Sequence, residues 1–244
     1  MTLIAALRCR DGLIIGSDSQ ETRGAAGRLL ARSTRKIYAP RPGFLLAWAG
    51  AQDVAQGFGL RLARAHEIST NAERLDVKAK LHSIFTALRA DPSIEGRNDN
   101  VELIVGWWSR TERKPVALHL FGGGAGEWVG AWAFGGVPLG IEGASFAVGA
   151  MRYIDAGALT LEQAKLVALK VLRDVIETSV EGIGGQVQMG TVQRGDVEVI
   201  AQADMRALHD AVDFWERQCA ELLLGRASAS LDPARDRGAR PLDI

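Results

Sequence analysis

The sequence is notable first for what it contains little of. Its 244 residues include only two cysteines, Cys9 and Cys219, which is too few for a disulfide framework and favours a reducing compartment. There is no excess charge of one sign, because 29 basic residues balance 29 acidic ones, and this argues against nucleic acid or an anionic membrane as a partner. No apolar run reaches the roughly eighteen residues that a membrane span needs, and the N-terminus lacks the pattern of a secretory signal. We therefore expect a cytoplasmic protein with no nucleic-acid or membrane partner.

Residues that usually form metal or phosphate sites are also scarce or badly spaced. The four histidines have no metal-ligand spacing and no cysteines beside them, which is typical of surface or helix-face residues: His66, His82, His119 and His209. The glycine-rich segment 122–126 lies between two strand-like runs and is not followed by Lys-Ser or Lys-Thr, so it predicts a turn rather than a phosphate-binding loop. We expect neither a metal nor an organic cofactor.

The clearest pattern lies in residues 1–50. Two apolar runs, residues 2–9 and 13–17, flank Asp11-Gly12 and predict a β-hairpin in which the Asp-Gly turn supplies a positive φ. The free end of this hairpin is Thr2 if the initiator methionine is removed. Its second strand ends at Asp18.

A threonine at the N-terminus of a chain carries its own base. The reference pKa of an α-amino group is about 7.7–8.0, so near neutral pH part of it can accept the hydroxyl proton. Such an amine needs a neighbouring cation to keep its pKa low, and the cation needs a carboxylate to hold it. Lys36, in the extended-looking segment 33–38, and Asp18 are candidates for these two roles. Three adjacent strands of one sheet could bring Thr2, Asp18 and Lys36 together.

The order and spacing of these residues resemble the β-type subunits of the proteasome and the HslV-type and ancestral β-subunit proteases, which are N-terminal-nucleophile hydrolases. The segments that carry the resemblance are Thr2, Asp11-Gly12, residues 16–19, Thr22, residues 35–38, residues 46–50 and residues 53–56. It continues more weakly through residues 101–107, 159–164 and 184–185, and so covers roughly the first 200 residues.

The resemblance implies a role for each matching residue. Thr2 would be the nucleophile, Lys36 the charged group that tunes it, and Asp18 the partner of Lys36. Gly50 would donate its N–H to the oxyanion, and Thr22 would contact the substrate backbone. Trp48 and Gln52 would lie near the pocket for the side chain preceding the scissile bond, where a tryptophan fills space and favours small side chains.

The chain departs from the family where other residues support the threonine amine. The family has a serine before the third helix, whereas this chain has Glu142 near that place. The family also has an Asp-x-x-Ser pair ahead of a Gly-Gly, and here Ser179 and Glu181 could substitute.

Hydrophobic periodicity predicts alternating groups of strands and helices. Strands are expected at 44–49, 101–108, 116–121, 128–134, 187–192 and 197–200, and helices at 51–68, from about Asp76 to before Pro92, at 145–156, at 159–178 and at 204–224. Thr160 and Gln163 predict a capping box, Asp204 a helix cap, Gly225 a helix stop and 95–100 a loop. The pattern alone gives a mixed α/β fold, and the resemblance implies the α+β class with a four-layer αββα sandwich.

The same pattern predicts how the chain is divided. Residues 1–202 would form the N-terminal-nucleophile domain, residues 203–225 a C-terminal helical extension, and residues 226–244 a disordered tail rich in Arg, Asp, Ala, Ser and Pro.

The resemblance implies a threonine-type endopeptidase of the self-compartmentalising kind, in which Thr2 forms an acyl-enzyme ester. Its substrate would be a peptide or an unfolded protein, it would assemble as a homo-oligomeric ring or stack, and an ATP-dependent unfoldase could be its partner. Two alternatives stay open at this point. One is a catalytically weakened or inactive ring-forming subunit with the same fold, and the other is a small-molecule amidase with the same nucleophile.

Overall fold

A computed structural model of the chain describes residues 2–23, 30–91, 93, 101–122, 125–136, 138–150, 154–178 and 183–224. The chain divides into two compact units, residues 1–200 and 201–244. The predicted loop at 95–100, the helix stop at Gly225 and the predicted tail at 226–244 lie outside the described residues.

The first unit contains twelve strands, four α-helices and a short 3-10 helix (Ala156–Ala158) among its described residues. The strands are β1 (Leu3–Arg8), β2 (Gly12–Asp18), β3 (Gln20–Arg23), β4 (Leu30–Ser33), β5 (Ile37–Arg41), β6 (Phe44–Gly50), β7 (Val101–Ser109), β8 (Lys114–Phe121), β9 (Ala125–Trp128), β10 (Trp132–Gly136), β11 (Val187–Gln193) and β12 (Asp196–Val199). The helices are α1 (Gln52–Arg64), α2 (Arg74–Arg89), α3 (Pro138–Ala150) and α4 (Leu161–Thr178).

Most of the strands form two five-stranded antiparallel sheets. The first sheet has the order β10-β1-β2-β11-β12, and the second has the order β5-β6-β7-β8-β9. Strands β3 and β4 pair separately as a two-stranded ribbon. The molecule is therefore a mixed α/β protein with two antiparallel sheets and helices, compatible with the α+β class.

Two apolar clusters connect these elements. One cluster joins α1 and α2 to the second sheet and includes Phe58, Phe85 and Trp107. The other contains Ile4 and Ile15 of the first sheet together with Ala47 of the second, so the two sheets pack face to face there. Helix α4 contacts β1, β2 and β11, and its broad apolar stripe is buried as amphipathic helices require.

The N-terminal hairpin is confirmed, but its turn differs from the prediction. Strands β1 and β2 pair with Ile4 opposite Ser17, and the N–H of Cys9 donates to the carbonyl oxygen of Gly12 over 2.9 Å. Gly12 does not adopt a positive φ. The space is tight instead: a β-carbon there would lie 2.5 Å from a methyl carbon of Leu161 in α4 and 3.0 Å from the carbonyl oxygen of Val192, so these neighbours would have to shift.

Helix α4 and the closing hairpin are also confirmed. The N–H of Thr160 donates to the side chain of Gln163 over 2.9 Å, and the N–H of Gln163 donates to the hydroxyl oxygen of Thr160 over 3.3 Å. This reciprocal pair is the capping box that the sequence predicts. Strands β11 and β12 pair with Val192 opposite Val197, as expected for a hairpin.

Other boundaries were predicted wrongly. The run 128–134 is not one strand: β9 pairs with β8 in the second sheet, whereas β10 pairs with β1 in the first. Gly130 lies in the break, where a glycine weakens strand continuity. The helix expected at 145–156 begins instead at Pro138, whose fixed φ and missing N–H suit a first helical position.

The second unit contains helix α5 (Gln202–Leu223). Its N-cap is Ala201, without a side-chain cap, and Asp204 lies within the first turn, so the predicted cap is wrong. A carboxylate in the first turn still favours the helix through the positive N-terminal end of the helix dipole. No helix among the residues described here is long and apolar enough to cross a membrane.

Candidate active site

Three side chains predicted to act together meet at the start of β1. The Lys36 ammonium Nζ lies 2.7 Å from the Thr2 hydroxyl oxygen and 3.1 Å from each carboxylate oxygen of Asp18. It also donates to the backbone carbonyl of Gln20. Both charged side chains are fully buried, and Thr2 is 6% exposed. The structure thus brings Thr2, Asp18 and Lys36 together in one hydrogen-bonded group.

Backbone N–H groups hold the Asp18 carboxylate from several directions. Leu3 donates to Oδ1 over 2.9 Å, and Gln20 and Gly184 donate to Oδ2 over 3.1 and 3.3 Å. Burial raises the pKa of Asp18 above its ordinary value, while the Lys36 cation and the N–H donors from Leu3 and Gly184 oppose that rise. The carboxylate is therefore fixed in position and faces the buried cation.

Lys36 reaches this group by a route that differs from the prediction. It does not come from a strand adjacent to β1 and β2, because it directly precedes β5, which belongs to the second sheet. The site therefore joins the two sheets, and their packing brings the Lys36 side chain to Thr2.

Gln188 of β11 positions the segment that carries Lys36, and the sequence analysis missed it. Its Oε1 accepts a hydrogen bond from the N–H of Lys36 over 2.9 Å, and its Nε2 donates to the carbonyl oxygen of Thr34 over 2.7 Å. Its only signal in the sequence is a polar residue within the apolar run 187–192. That signal does not reveal a partner 152 residues away.

The Gly184-Gly185 segment closes over the end of β2. The N–H of Gln20 donates to the carbonyl oxygen of Gly184 over 3.0 Å, and the N–H of Gln186 donates to the Ser19 hydroxyl over 2.7 Å. A β-carbon on Gly184 would overlap the side chain of Gln20, and Gly185 has a φ of +76°. Gly185 is thus favoured by its backbone conformation, whereas a β-carbon at Gly184 would require the end of the Gln20 side chain to move.

The residues predicted to contact substrate are placed less completely. Gly50 ends β6 with a φ of +93° and lies opposite Val101 of β7. Trp48 is 2% exposed and belongs to the apolar cluster between the second sheet and helices α1 and α2. Gln52 is the first residue of α1. Thr22 lies on β3 opposite Ala31, and its side chain is not among those described.

Three residues were expected to support the Thr2 amine: Glu142, Ser179 and Glu181. No described contact joins them to Thr2, Asp18 or Lys36. Glu142 is an exposed residue of α3. Ser179 and Glu181 lie outside the described residues.

One histidine was misjudged. His119 is neither a surface residue nor a helix-face residue, because it lies on β8 with its side chain 13% exposed and its Nε2 lies 2.9 Å from Oε2 of Glu102. Within the described part of the chain, no group of three or more His, Cys, Asp and Glu side chains could hold a metal ion.

A scan against protein-family models and a search of curated proteins give no match to this chain. The chemistry of the site therefore has to follow from its own geometry. A buried ammonium that donates to a hydroxyl oxygen, and that a carboxylate holds from behind, stabilises negative charge developing on that oxygen. The Thr2 hydroxyl oxygen is thus a candidate nucleophile.

Proposed function

We propose that the chain is a threonine peptidase of the N-terminal-nucleophile class, similar to proteasome β-type subunits, with Thr2 as its nucleophile. The observation that carries this proposal is the 2.7 Å contact between the Lys36 ammonium and the Thr2 hydroxyl, made while Lys36 also pairs with Asp18. Buried ion pairs add little to stability compared with apolar packing, so stability alone does not explain this pair.

The hydrogen bonds of Lys36 indicate that another group accepts the proton of the Thr2 hydroxyl. Its ammonium group has three N–H donors and faces acceptors from Thr2, Asp18 and Gln20. Because Nζ donates to each of these acceptors, it directs an N–H and not a lone pair at the Thr2 hydroxyl. The base is therefore assigned to the α-amine of Thr2, which removal of Met1 would free.

The proposed reaction proceeds in two stages, acylation of Thr2 and hydrolysis of the resulting ester. The Thr2 amine accepts the hydroxyl proton as Oγ1 attacks the carbonyl carbon of a peptide bond, and the Gly50 N–H stabilises the resulting oxyanion. Collapse of the tetrahedral intermediate breaks the C–N bond of the peptide, and the α-ammonium of Thr2 gives its proton to the departing amine. An acyl ester on Thr2 remains. The same amine then takes a proton from water as the water oxygen attacks the ester carbon. The C–Oγ1 bond breaks, the α-ammonium of Thr2 returns the proton to Oγ1, and the peptide leaves as a carboxylic acid.

We also propose that the first unit is a four-layer αββα sandwich. Helices α1 and α2 contact one sheet, α4 contacts the other, and an apolar cluster joins the two sheets. Each sheet would then bury one face against helices and the other against its partner sheet. This arrangement is one of the stable ways of covering two apolar sheet faces.

Assembly into a homo-oligomeric ring or stack is a further part of the proposal. Helix α5 leaves large apolar side chains in solvent: Phe214 is 57% exposed and Leu223 is 88% exposed. The consecutive residues Leu222, Leu223 and Leu224 are all exposed, and this group of apolar side chains supports an interaction site at the end of α5. A peptide or unfolded protein is the proposed substrate, and an ATP-dependent unfoldase partner stays a prediction.

The test combines intact mass with covalent labelling. We expect purified protein to lack Met1 and to gain one β-lactone or peptide epoxyketone adduct that peptide mapping places on Thr2. Thr2→Ala should form no adduct, whereas Thr2→Ser, which keeps a hydroxyl, should still react. An adduct elsewhere, or no adduct on protein that lacks Met1, would overturn the nucleophile assignment.

Substrate assays separate the related alternatives. Release of a fluorophore from short peptides with loss of signal in Thr2→Ala supports a peptidase. Adduct formation without peptide cleavage, but with hydrolysis of simple amides, indicates an amidase. An unreactive protein that still assembles into rings is the inactive subunit.

A further inference from the structure

A second polar group joins the two sheets next to Thr2. Glu102 on β7 and His119 on β8 contact each other, with 2.9 Å between His119 Nε2 and Glu102 Oε2. The register places Glu102 opposite Ala49 and His119 opposite Ile104. Since Ala49 and Ile104 both belong to the cluster between the sheets, Glu102 and His119 lie on the face that meets the first sheet.

Glu102 reaches across to the last residue of β10. Its Oε2 accepts a hydrogen bond from the N–H of Gly136 over 3.1 Å. Gly136 has a φ of +116° and lies opposite Leu3. A β-carbon at Gly136 would overlap the carbonyl oxygen of Thr2. The Glu102 carboxylate thus holds Gly136, and Gly136 lies directly against the backbone carbonyl of Thr2.

The surrounding packing leaves little room for this contact to shift. A β-carbon at Gly135 would overlap Glu102 Oε2 and lie 2.8 Å from His119 Nε2, so β10 passes close to both side chains. On the other side of the imidazole, the ring of Phe121 lies 5.2 Å away between centroids. The two rings are tilted by 57°, so His119 is held between Phe121 and β10 while its Nε2 contacts the Glu102 oxygen that binds the backbone of β10.

We propose that Glu102 is a positioning residue for Thr2, and that His119 orients Glu102. The inference rests on the proposed function. The Glu102 carboxylate fixes Gly136, and Gly136 fixes the Thr2 carbonyl, so the Thr2 hydroxyl stays within reach of Lys36. Asp18, at the end of β2, holds the same end of β1 through the N–H of Leu3. Strand β1 lies between β10 and β2, so one carboxylate acts on its start from each side, Glu102 through Gly136 of β10 and Asp18 directly.

The test compares Glu102→Ala and Glu102→Gln in the full chain. We expect Glu102→Ala to lower kcat for peptide hydrolysis by about 10- to 100-fold with KM nearly unchanged, because small misplacements of a reacting group have effects of this size. Glu102→Gln keeps an oxygen acceptor for the Gly136 N–H and should retain most of kcat. In the same way, His119→Gln, which keeps an N–H donor, should retain more activity than His119→Ala.

Glu127 provides the matched control. It is an exposed carboxylate on β9, directly opposite His119 in the sheet register. Glu127→Gln removes one nearby negative charge without touching Gly136, and its kcat should equal that of the wild type.

A second measurement does not depend on turnover. Hydrogen exchange followed by mass spectrometry over residues 132–136 should show faster exchange in Glu102→Ala than in the wild type, with Glu102→Gln close to the wild type. Equal exchange in Glu102→Ala and wild type would overturn the proposed anchor. Faster exchange with unchanged kcat would show a contact without a positioning role, and would also overturn it.

Failure of this inference can be separated from failure of the proposed function. A wild type that forms no β-lactone adduct on Thr2 overturns the proposed function, and the positioning role falls with it. A reactive wild type accompanied by an equally reactive Glu102→Ala overturns only the role of Glu102.

Discussion

Replacement of Lys36 by methionine tests the centre of the site most directly. Methionine keeps an unbranched side chain of similar length but removes the ammonium, so Asp18 loses the side-chain donor that contacts both of its oxygens while remaining fully buried. Breaking a buried ion pair from one side costs about 3–5 kcal/mol. Three backbone N–H groups still bind Asp18, so we expect a loss near the lower end, about 3 kcal/mol, in the free energy of unfolding.

The loss of activity should be larger in proportion than the loss of stability. A protein that is about 3 kcal/mol less stable remains mostly folded if its starting stability is in the usual range of about 5–15 kcal/mol. Turnover should nevertheless fall by about 10²- to 10⁴-fold, because no ammonium then stabilises the charge that develops on the Thr2 hydroxyl oxygen. Circular dichroism should show an unchanged fold under the conditions of the activity assay.

A double-mutant cycle separates the pair from its surroundings. Urea unfolding of the wild type, Lys36→Met, Asp18→Asn and the double variant, all at one protein concentration, gives the coupling energy. We expect a coupling of about 1–3 kcal/mol, so the double variant should lose less stability than the sum of the single variants. Asp18→Asn alone should also slow turnover, because Lys36 loses its anchor.

Lys114→Met is the control for this cycle. Lys114 forms an ion pair with Glu112 at the surface, where its side chain is 47% exposed. Surface pairs of this kind contribute about 0–1 kcal/mol, and turnover should not change. Additive losses in the cycle, or wild-type turnover in Lys36→Met, would refute the arrangement of Thr2, Asp18 and Lys36.

Three further predictions address other parts of the chain. Burial raises the pKa of Cys9 to about 11, so its thiol stays protonated well above neutral pH. Maleimide at pH 8 should therefore label the partly exposed Cys219 and leave Cys9 unlabelled until urea is added. Rapid labelling of Cys9 in the native protein would contradict this prediction. Trp48→Ala should lower the free energy of unfolding by about 3–5 kcal/mol, since it empties a core position; unchanged stability together with new cleavage after bulky residues would show instead that Trp48 lines a substrate pocket. Truncation after Gln202 should yield smaller species by light scattering with a folded first unit, whereas unchanged stoichiometry with lost thermal stability would show that α5 serves only its own subunit.

Local pattern was sufficient for the elements whose stabilising contacts lie close together in the chain. The β1–β2 hairpin follows from two apolar runs around a short turn, and the α4 capping box follows from Thr160 and Gln163, which are three residues apart. The same holds for the β11–β12 hairpin around Arg194-Gly195. In each case the paired residues belong to one hairpin or one helical turn, so the local order of residue types specifies the geometry.

The identity of the three central side chains could also be proposed from the sequence, but not the way they meet. Thr2, Asp18 and Lys36 were singled out by residue type, order and resemblance. Placing Lys36 on the same sheet as Thr2 was wrong, since nothing in a run of residues states which sheet a strand will join. The split of residues 128–134 between the two sheets failed for the same reason.

Two residues that complete the site become visible only in the folded protein. Gln188 binds the backbone of Lys36 from 152 residues away, and Glu102 binds the backbone of Gly136 across the gap between the sheets. Both are polar residues within strands, and both act on a backbone N–H, which every residue type except proline provides. The sequence near such an N–H group does not indicate which side chain will bind it. The packing of the two sheets determines that pairing, and the neighbouring residues along the chain do not.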